Sequence, residues 1–390
     1  MPAPALSNEE ELYWLALKMV PGLGTRRAAQ LVENFRSAES IFRASRSDLA
    51  AVGLPGSVAQ SIASGCTFED AVDQQTRMRA TDTRLICFND AVYPPLLRQI
   101  FDPPQVLFAR GNVDLLAGTL FGVVGTRRPT PYGLAAAERL SEDLARAGLA
   151  ITSGMARGID TAAHKGALSA GGETIAVLGC GVDVIYPSEN RKLAEQIVAR
   201  GLLLSEFPMG GAAFPQNFPI RNRIISGASV GLLVVEGAQY SGSSITARLA
   251  LDQGRDVFAV PGNITSAASW GPNLLIKQGA KLVQDWNDVI VDLAPAVRRK
   301  LIDQGQKRLF DGGGGVPTEG GLNRDLSIGP ESEVSRAVLQ KLKIDAPIHL
   351  DDLIEAMDRC STSEVIAALF ELEMLGLAKQ LPGKNYVKVW

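Results

Sequence analysis

The chain has 390 residues, 46% hydrophobic and 21% charged, with a formal net charge of −3. That length holds several domains and at least one full-sized core, and the composition excludes a globally disordered chain. The charge excludes an overall positive field, so any nucleic-acid contact has to come from a local basic patch.

The four cysteines, Cys66, Cys87, Cys180 and Cys360, show neither Cys-x-x-Cys nor metal-ligand spacing. They read as reduced thiols, and neither a metal nor another cofactor is expected. Glu9, Glu10 and Glu11 stand where a secretory signal would carry basic and then apolar residues, and no run reaches membrane-spanning length. A cytoplasmic protein without membrane contact is expected.

In chain order, residues 1–80 carry helical patterns around Val20-Pro-Gly-Leu-Gly-Thr-Arg-Arg-Ala-Ala, a turn that resembles a helix-hairpin-helix. Such a turn either presents backbone amides to a DNA phosphate or merely crosses two helices, and the sequence leaves both open. Residues 81–119 hold the proline-punctuated pieces Tyr93-Pro-Pro-Leu-Leu and Asp102-Pro-Pro-Gln-Val-Leu-Phe, expected to extend a sheet as edge elements.

Short apolar strands are then expected at 121–125, 149–153, 174–179, 202–205, 230–235, 256–260 and 281–283, with helical patterns between most of them. Runs such as Thr174-Ile-Ala-Val-Leu lack period-two polarity, as parallel strands covered on both faces do. The fold class is α/β, an extended Rossmann-like, doubly wound and mostly parallel sheet over 81–298. Residues 299–330, with Gly312 to Gly315 in a row, read as a flexible linker. Residues 331–390 offer three helical patterns and two strands about a Pro-Gly turn, the order of a winged helix.

Residues 120–133 read Leu-Phe-Gly-Val-Val-Gly-Thr-Arg-Arg-Pro-Thr-Pro-Tyr-Gly: a strand stops at a glycine, offers two arginines and opens a helix. A βα turn of this kind puts free amides, a helix dipole and two guanidiniums at one spot, which suits phosphate. Neither the dinucleotide nor the nucleoside-triphosphate glycine spacing is present.

Three more strand-end segments carry the same theme: Ser153-Gly-Met-Ala-Arg-Gly-Ile-Asp, Gly179-Cys-Gly-Val-Asp-Val-Ile-Tyr-Pro and Phe218-Pro-Ile-Arg-Asn-Arg. If they converge, Arg127, Arg128, Arg157, Arg221 and Arg223 line one groove. Glycines would admit a polymer backbone, and Phe214, Phe218 and Tyr186 would stack bases. The alternative is that Arg157 and Arg223 tie the fold internally. Glu206, Glu236, Asp160 and Asp183 are strand-end acids without an evident nucleophile-base pair.

These blocks, with Val-Val-Glu-Gly-x-x-x-Ser-Gly-Ser-x-x-Thr-Ala and Gly-Arg-x-Val-Phe-Ala-Val-Pro-Gly, resemble the DNA-processing protein A (DprA/Smf) family. The resemblance implies a SAM-like or helix-hairpin-helix N-terminal domain, an extended Rossmann domain and a winged helix. It further implies a non-enzymatic protein that binds incoming single-stranded DNA in natural transformation, protects it and helps load the RecA recombinase. Carried over by motif, the DNA site comprises Gly125, Thr126, Arg127, Arg128, Ser153, Gly154, Arg157, Gly158, Phe218, Arg221, Asn222 and Arg223. Members are homodimers, and the matching stretch holds Leu275, Ile276 and Leu282, which core packing explains about as well.

Two features depart from a strongly basic DNA site. Ser188 and Gln216 are neutral where a lysine would contact phosphate, and the expected recognition helix, 362–377, has Glu364, Glu371 and Glu373 but no lysine or arginine. The winged helix is therefore expected to serve protein contacts or regulation, with DNA contact at most through Lys379, Lys384 and Lys388. Two other readings compete: a phosphoribohydrolase-like nucleotide enzyme, whose Pro-Gly-Gly-x-Gly-Thr-x-x-Glu motif is missing here, and a hub that binds only proteins.

Overall fold

The structure is a computed structural model. It describes residues 6–239, 241–302, 333–343, 348–357, 360–374, 377–381 and 383–388. Residues 1–312 form one compact unit and residues 313–390 another. Residues 303–332, which include most of the linker expected at 299–330, lie outside the described residues.

Six helices come first: α1 (Asn8–Met19), α2 (Thr25–Phe35), α3 (Ala38–Arg43), α4 (Arg46–Ala51), α5 (Gly56–Ser64) and α6 (Phe68–Ala80). Helix α1 starts where Ser7 and Glu10 close a capping box, each satisfying the other's free backbone N–H. Strands β1 (Thr83–Cys87), β2 (Val106–Gly111) and β3 (Leu120–Val124) follow. Then come α7 (Pro131–Arg146), β4 (Ala150–Ser153), α8 (Ile159–Ser169), β5 (Thr174–Leu178), α9 (Arg191–Arg200) and β6 (Leu202–Ser205). The unit continues with α10 (Asn217–Ala228), β7 (Gly231–Val234), α11 (Gly242–Asp252), β8 (Asp256–Ala259), α12 (Trp270–Lys277), β9 (Lys281–Leu282) and α13 (Trp286–Asp292).

The nine strands lie in the order β1-β2-β6-β5-β4-β3-β7-β8-β9. From β6 to β9 every pairing is parallel, while β2 runs antiparallel to both β6 and β1. The 81–119 region thus supplies one edge strand, β1, and one interior strand, β2. The two prolines of Asp102-Pro-Pro stop just short of β2, which leaves its ladder donors intact.

Alternate residues of one strand feed different cores. Ile175 and Val177 of β5 pack with α10 and α11, whereas Ala176 and Leu178 pack with α9 and the N-terminal helices. That is why these strands read as continuous apolar runs. The N-terminal core, including Trp14, Leu31, Ile41 and Ile62, is continuous with Leu85, Phe108, Ala176 and Leu203 of the sheet. The boundary near residue 80 therefore falls inside packed structure.

In the second unit, helices Glu333–Lys341, Leu350–Glu355 and Thr362–Met374 accompany a three-stranded antiparallel sheet, β10 (Ile348–His349), β12 (Asn385–Lys388) and β11 (Ala378–Leu381). This is the winged-helix arrangement. Of the acids on Thr362–Met374, Glu364 accepts from Ser361, which holds its carboxyl below the usual range, and Glu371 accepts from Ser335 at 2.6 Å. No helix among the described residues is long and apolar enough to cross a membrane.

Candidate nucleic-acid interface

The carboxyl ends of the parallel strands form one crest, and the direction of winding reverses between β3 and β7. In a doubly wound sheet that switch point is where a ligand enters. Here Glu236, just beyond β7, closes it. Its carboxylate accepts from the Thr130 amide at 2.9 Å and the Thr130 hydroxyl at 2.6 Å, and its carbonyl accepts from the Thr126 amide at 2.7 Å. Residue 133 has to be glycine there because a side chain on it would run into Glu236. The amino end of α7, expected from the sequence to be a free anion seat, is thus already supplied with a carboxylate by the protein itself.

What the loop after β3 leaves open to solvent is its side chains. Arg127 and Arg128 are both exposed, and neither pairs with a carboxylate among the described residues. Their loop lies on the one after β4, where the Ile159 amide donates to the Thr126 carbonyl at 3.2 Å. Gly158, at φ +78°, allows that fit, since a Cβ would sit 2.5 Å from the Thr126 oxygen. Gly125 packs the same way on Ile159.

Gly154 makes room for the Arg221 guanidinium. These glycines admit the protein's own atoms rather than a polymer backbone, which changes their expected role from openings to close-packed joints. Ser153 is fully buried and donates to the Val123 carbonyl at 2.6 Å, holding adjacent strand ends together.

The arginines separate into two groups. Arg157 is exposed and makes a two-pronged pair with Glu189, each contact 2.8 Å. Arg221 and Arg223, on the inner turns of α10, are 3% and 6% exposed. Arg223 donates to Asp102 at 2.9 Å and to Glu206 at 2.7 Å, so it does not line the groove: its charge is needed to hold a buried carboxylate. Arg221 donates to the Val177 carbonyl at 2.6 Å and lies beneath the crest. Burial pulls its pKa down, while the buried Asp160 opposes that shift.

The open surface is a stacked set. The Arg127 guanidinium sits 5.2 Å above the Phe218 ring, and Tyr186 lies beside that ring at 5.5 Å between centroids. Arg221 sits 5.9 Å from the same ring. Tyr186 and Phe214 are 47% and 54% exposed, so they offer faces to solvent, and Asn222 is half-buried nearby on α10.

The four strand-end acids are all engaged: Glu206 by Arg223, Glu236 by Thr130, Asp183 by the Gly210 amide at 2.8 Å, and Asp160 by the Ala156 amide at 3.3 Å. His164 is buried against Thr174 at 2.7 Å, and burial pushes its pKa down to about 3. Among the described residues no group of His, Cys, Asp and Glu is placed to hold a metal.

In the sequence Glu236 stands out only as a strand-end acid. Its part in closing α7 was knowable only from the adjacency of β3 and β7, which brings together residues 106 apart. At the far edge, Leu275 packs into the core, Ile276 is half-buried and Leu282 on β9 is exposed.

The family model described as DNA recombination-mediator protein A matches residues 84–294, and the DprA winged helix domain matches residues 324–384. Protein Smf of Synechocystis sp. is 34% identical over 98% of this chain and 99% of its own length. This chain belongs to the DNA recombination-mediator protein A family.

Within that family, Protein Smf of Escherichia coli is 47% identical, covering 78% of this chain and 77% of its own. The X-ray structure of DNA processing protein A from Streptococcus pneumoniae superposes with a TM-score of 0.63 at 35% identity, over 75% of this chain and 99% of that one. Both comparisons extend well beyond the crest. The Synechocystis relative, matched over nearly the whole chain, spans the sheet, the helices before it and the winged helix alike.

Proposed function

We propose that this chain binds single-stranded DNA along the crest and passes it to a recombinase of the RecA type, without doing chemistry on it. The observation that carries this reading is the set formed by exposed Arg127 and Tyr186 about the half-buried Phe218 ring, with Arg128 and Arg157 beside it. Arg127 and Arg128, which have no acid partner among the described residues, attract phosphates, and the exposed faces of Tyr186 and Phe214 accept unpaired bases of any sequence. Arg221, Gly125, Gly154, Gly158 and Ser153 support that surface from below, Thr126 and Asn222 flank it, and Arg223 braces α10.

The role in DNA processing follows the naming of relatives: those from Bacillus subtilis and Streptococcus pneumoniae are called DNA processing protein DprA. We read the protein as a binder rather than a nucleotide-cleaving enzyme because Glu236 fills the crevice where a mononucleotide would sit. A homodimer formed through Ile276 and Leu282 at the β9 edge, and a cytoplasmic location, complete the proposal.

Fluorescence anisotropy with labelled oligothymidine and a matched duplex tests it. Single strands should bind more tightly, with log K falling by about 0.7 per phosphate contacted for each tenfold rise in salt. Equal binding of both forms, or release of free base from nucleoside monophosphates, would count against it.

A further inference from the structure

We infer that the single-strand track continues past the β6 end of the crest onto the N-terminal helices, with Phe101 as a stacking face and Arg26 and Arg27 as phosphate contacts. This rests on the reading of the crest as a single-strand groove.

Phe101 is 77% exposed, an unusual position for a phenylalanine. Its backbone is held on both sides. Ile100 is buried in the core, the Asp102 carboxylate is gripped by Arg223 at 2.9 Å, and Pro103 and Pro104 fix the chain that enters β2. The ring is therefore displayed by a rigid segment rather than left on a loose one. The Arg26 guanidinium lies 4.8 Å from its centroid.

Arg26 and Arg27 open the first turn of α2, both exposed, and neither pairs with a carboxylate among the described residues. A guanidinium over an open aromatic ring repeats the pairing of Arg127 with Phe218.

The two stations are joined by a buried brace. Arg223 of α10 reaches Asp102 with one nitrogen and Glu206 with another, and Glu206 in turn meets Lys18 at 3.5 Å and the Thr25 hydroxyl at 3.4 Å. So Phe101, the start of α2 and α10, which also carries Phe218, are fixed around the end of β6. Ile220, one turn before Arg223, is exposed as well. Charge and stacking chemistry match the crest, and the same α10 braces both stations, which favours a nucleic-acid strand over a protein partner.

A length series of oligothymidines, from about 6 to about 40 nucleotides, tests the extension on the full chain. The variants are F101A, R26A/R27A and, as a reference, R127A/R128A, each checked for an unchanged thermal midpoint. Short oligonucleotides, which fill the crest alone, should bind F101A and R26A/R27A as they bind the parent. Long ones should lose about tenfold with F101A. R26A/R27A should lower the salt slope for long strands by about 1.4, two phosphates' worth.

Parental affinity at every length in both hairpin-side variants, with binding lost in R127A/R128A, overturns the extension and leaves the crest reading intact. Such a result would assign the patch to a protein partner. Unchanged binding in R127A/R128A would instead overturn the crest reading itself.

Discussion

Arg127 and Arg128 leave the end of a strand in a loop, whereas Arg221 and Arg223 ride on a helix packed against the same sheet. The first pair is exposed and, among the described residues, without an acid partner; the second is buried, one residue under a carbonyl and the other between two carboxylates. In sequence the pairs look alike, each beside a glycine- or proline-marked turn. What separates them is whether the backbone leaves the sheet or lies on it. The carboxylates divide in parallel: Glu206 anchors a buried arginine, and Glu236 closes the end of α7. The crest is thus a rigid platform of internal pairs on which a few unpaired arginines and rings face outward.

The contrast is broken most strongly at Arg223. Replacing it with alanine leaves Glu206, 4% exposed, with only Lys18 and the Thr25 hydroxyl, and should lower stability by about 3–5 kcal/mol in urea denaturation. A loss below about 1 kcal/mol would mean that Arg223 is not a brace.

At Glu236 the effect should be smaller. Gln in its place keeps one acceptor and turns an amide N–H₂ toward a donor of Thr130, costing about 1–3 kcal/mol while single-strand affinity is retained. Lost affinity with unchanged stability would place Glu236 in the binding surface instead.

His164 sets a pH test of the platform. Its folded pKa, about 3, lies below the ordinary value near 6.5, so the unfolded chain binds a proton first as pH falls. Stability from this group is complete above about pH 6.5 and declines by about 1.4 kcal/mol per pH unit until the folded pKa is reached. Burial raises the Asp160 carboxyl above its ordinary value, a contribution of opposite sign that parent and H164Q share. Urea midpoints of the parent and H164Q at pH 7 and pH 5 should show a shallower decline in the variant. Equal slopes would remove His164 as the source.

Much of the sheet was legible because each parallel strand is an apolar run ended by glycine, serine or a charge. The strand expected at 174–179 is Thr174–Leu178, and that at 202–205 is Leu202–Ser205. The interior place of β2 was not legible, since its antiparallel partner β6 lies about a hundred residues away and local pattern carries no register. Nor was the shared core beneath the N-terminal helices, whose apolar faces do not say what they cover. At the site, the motif spacing brought the right loops together, but burial of Arg221 and Arg223 depended on which side of α10 meets the sheet. Phe101 carried a weak signal: an aromatic residue set just before Asp-Pro-Pro, where the chain is stiff.

The proposed DNA contact rests on the outward arginines after β3. Oligothymidine titration of R127A/R128A beside the parent, at matched salt and with thermal midpoints recorded, tests it most directly. The account predicts more than tenfold weaker binding, a salt slope lower by about 1.4 and an unchanged midpoint. Parental affinity and slope in a folded variant would contradict it.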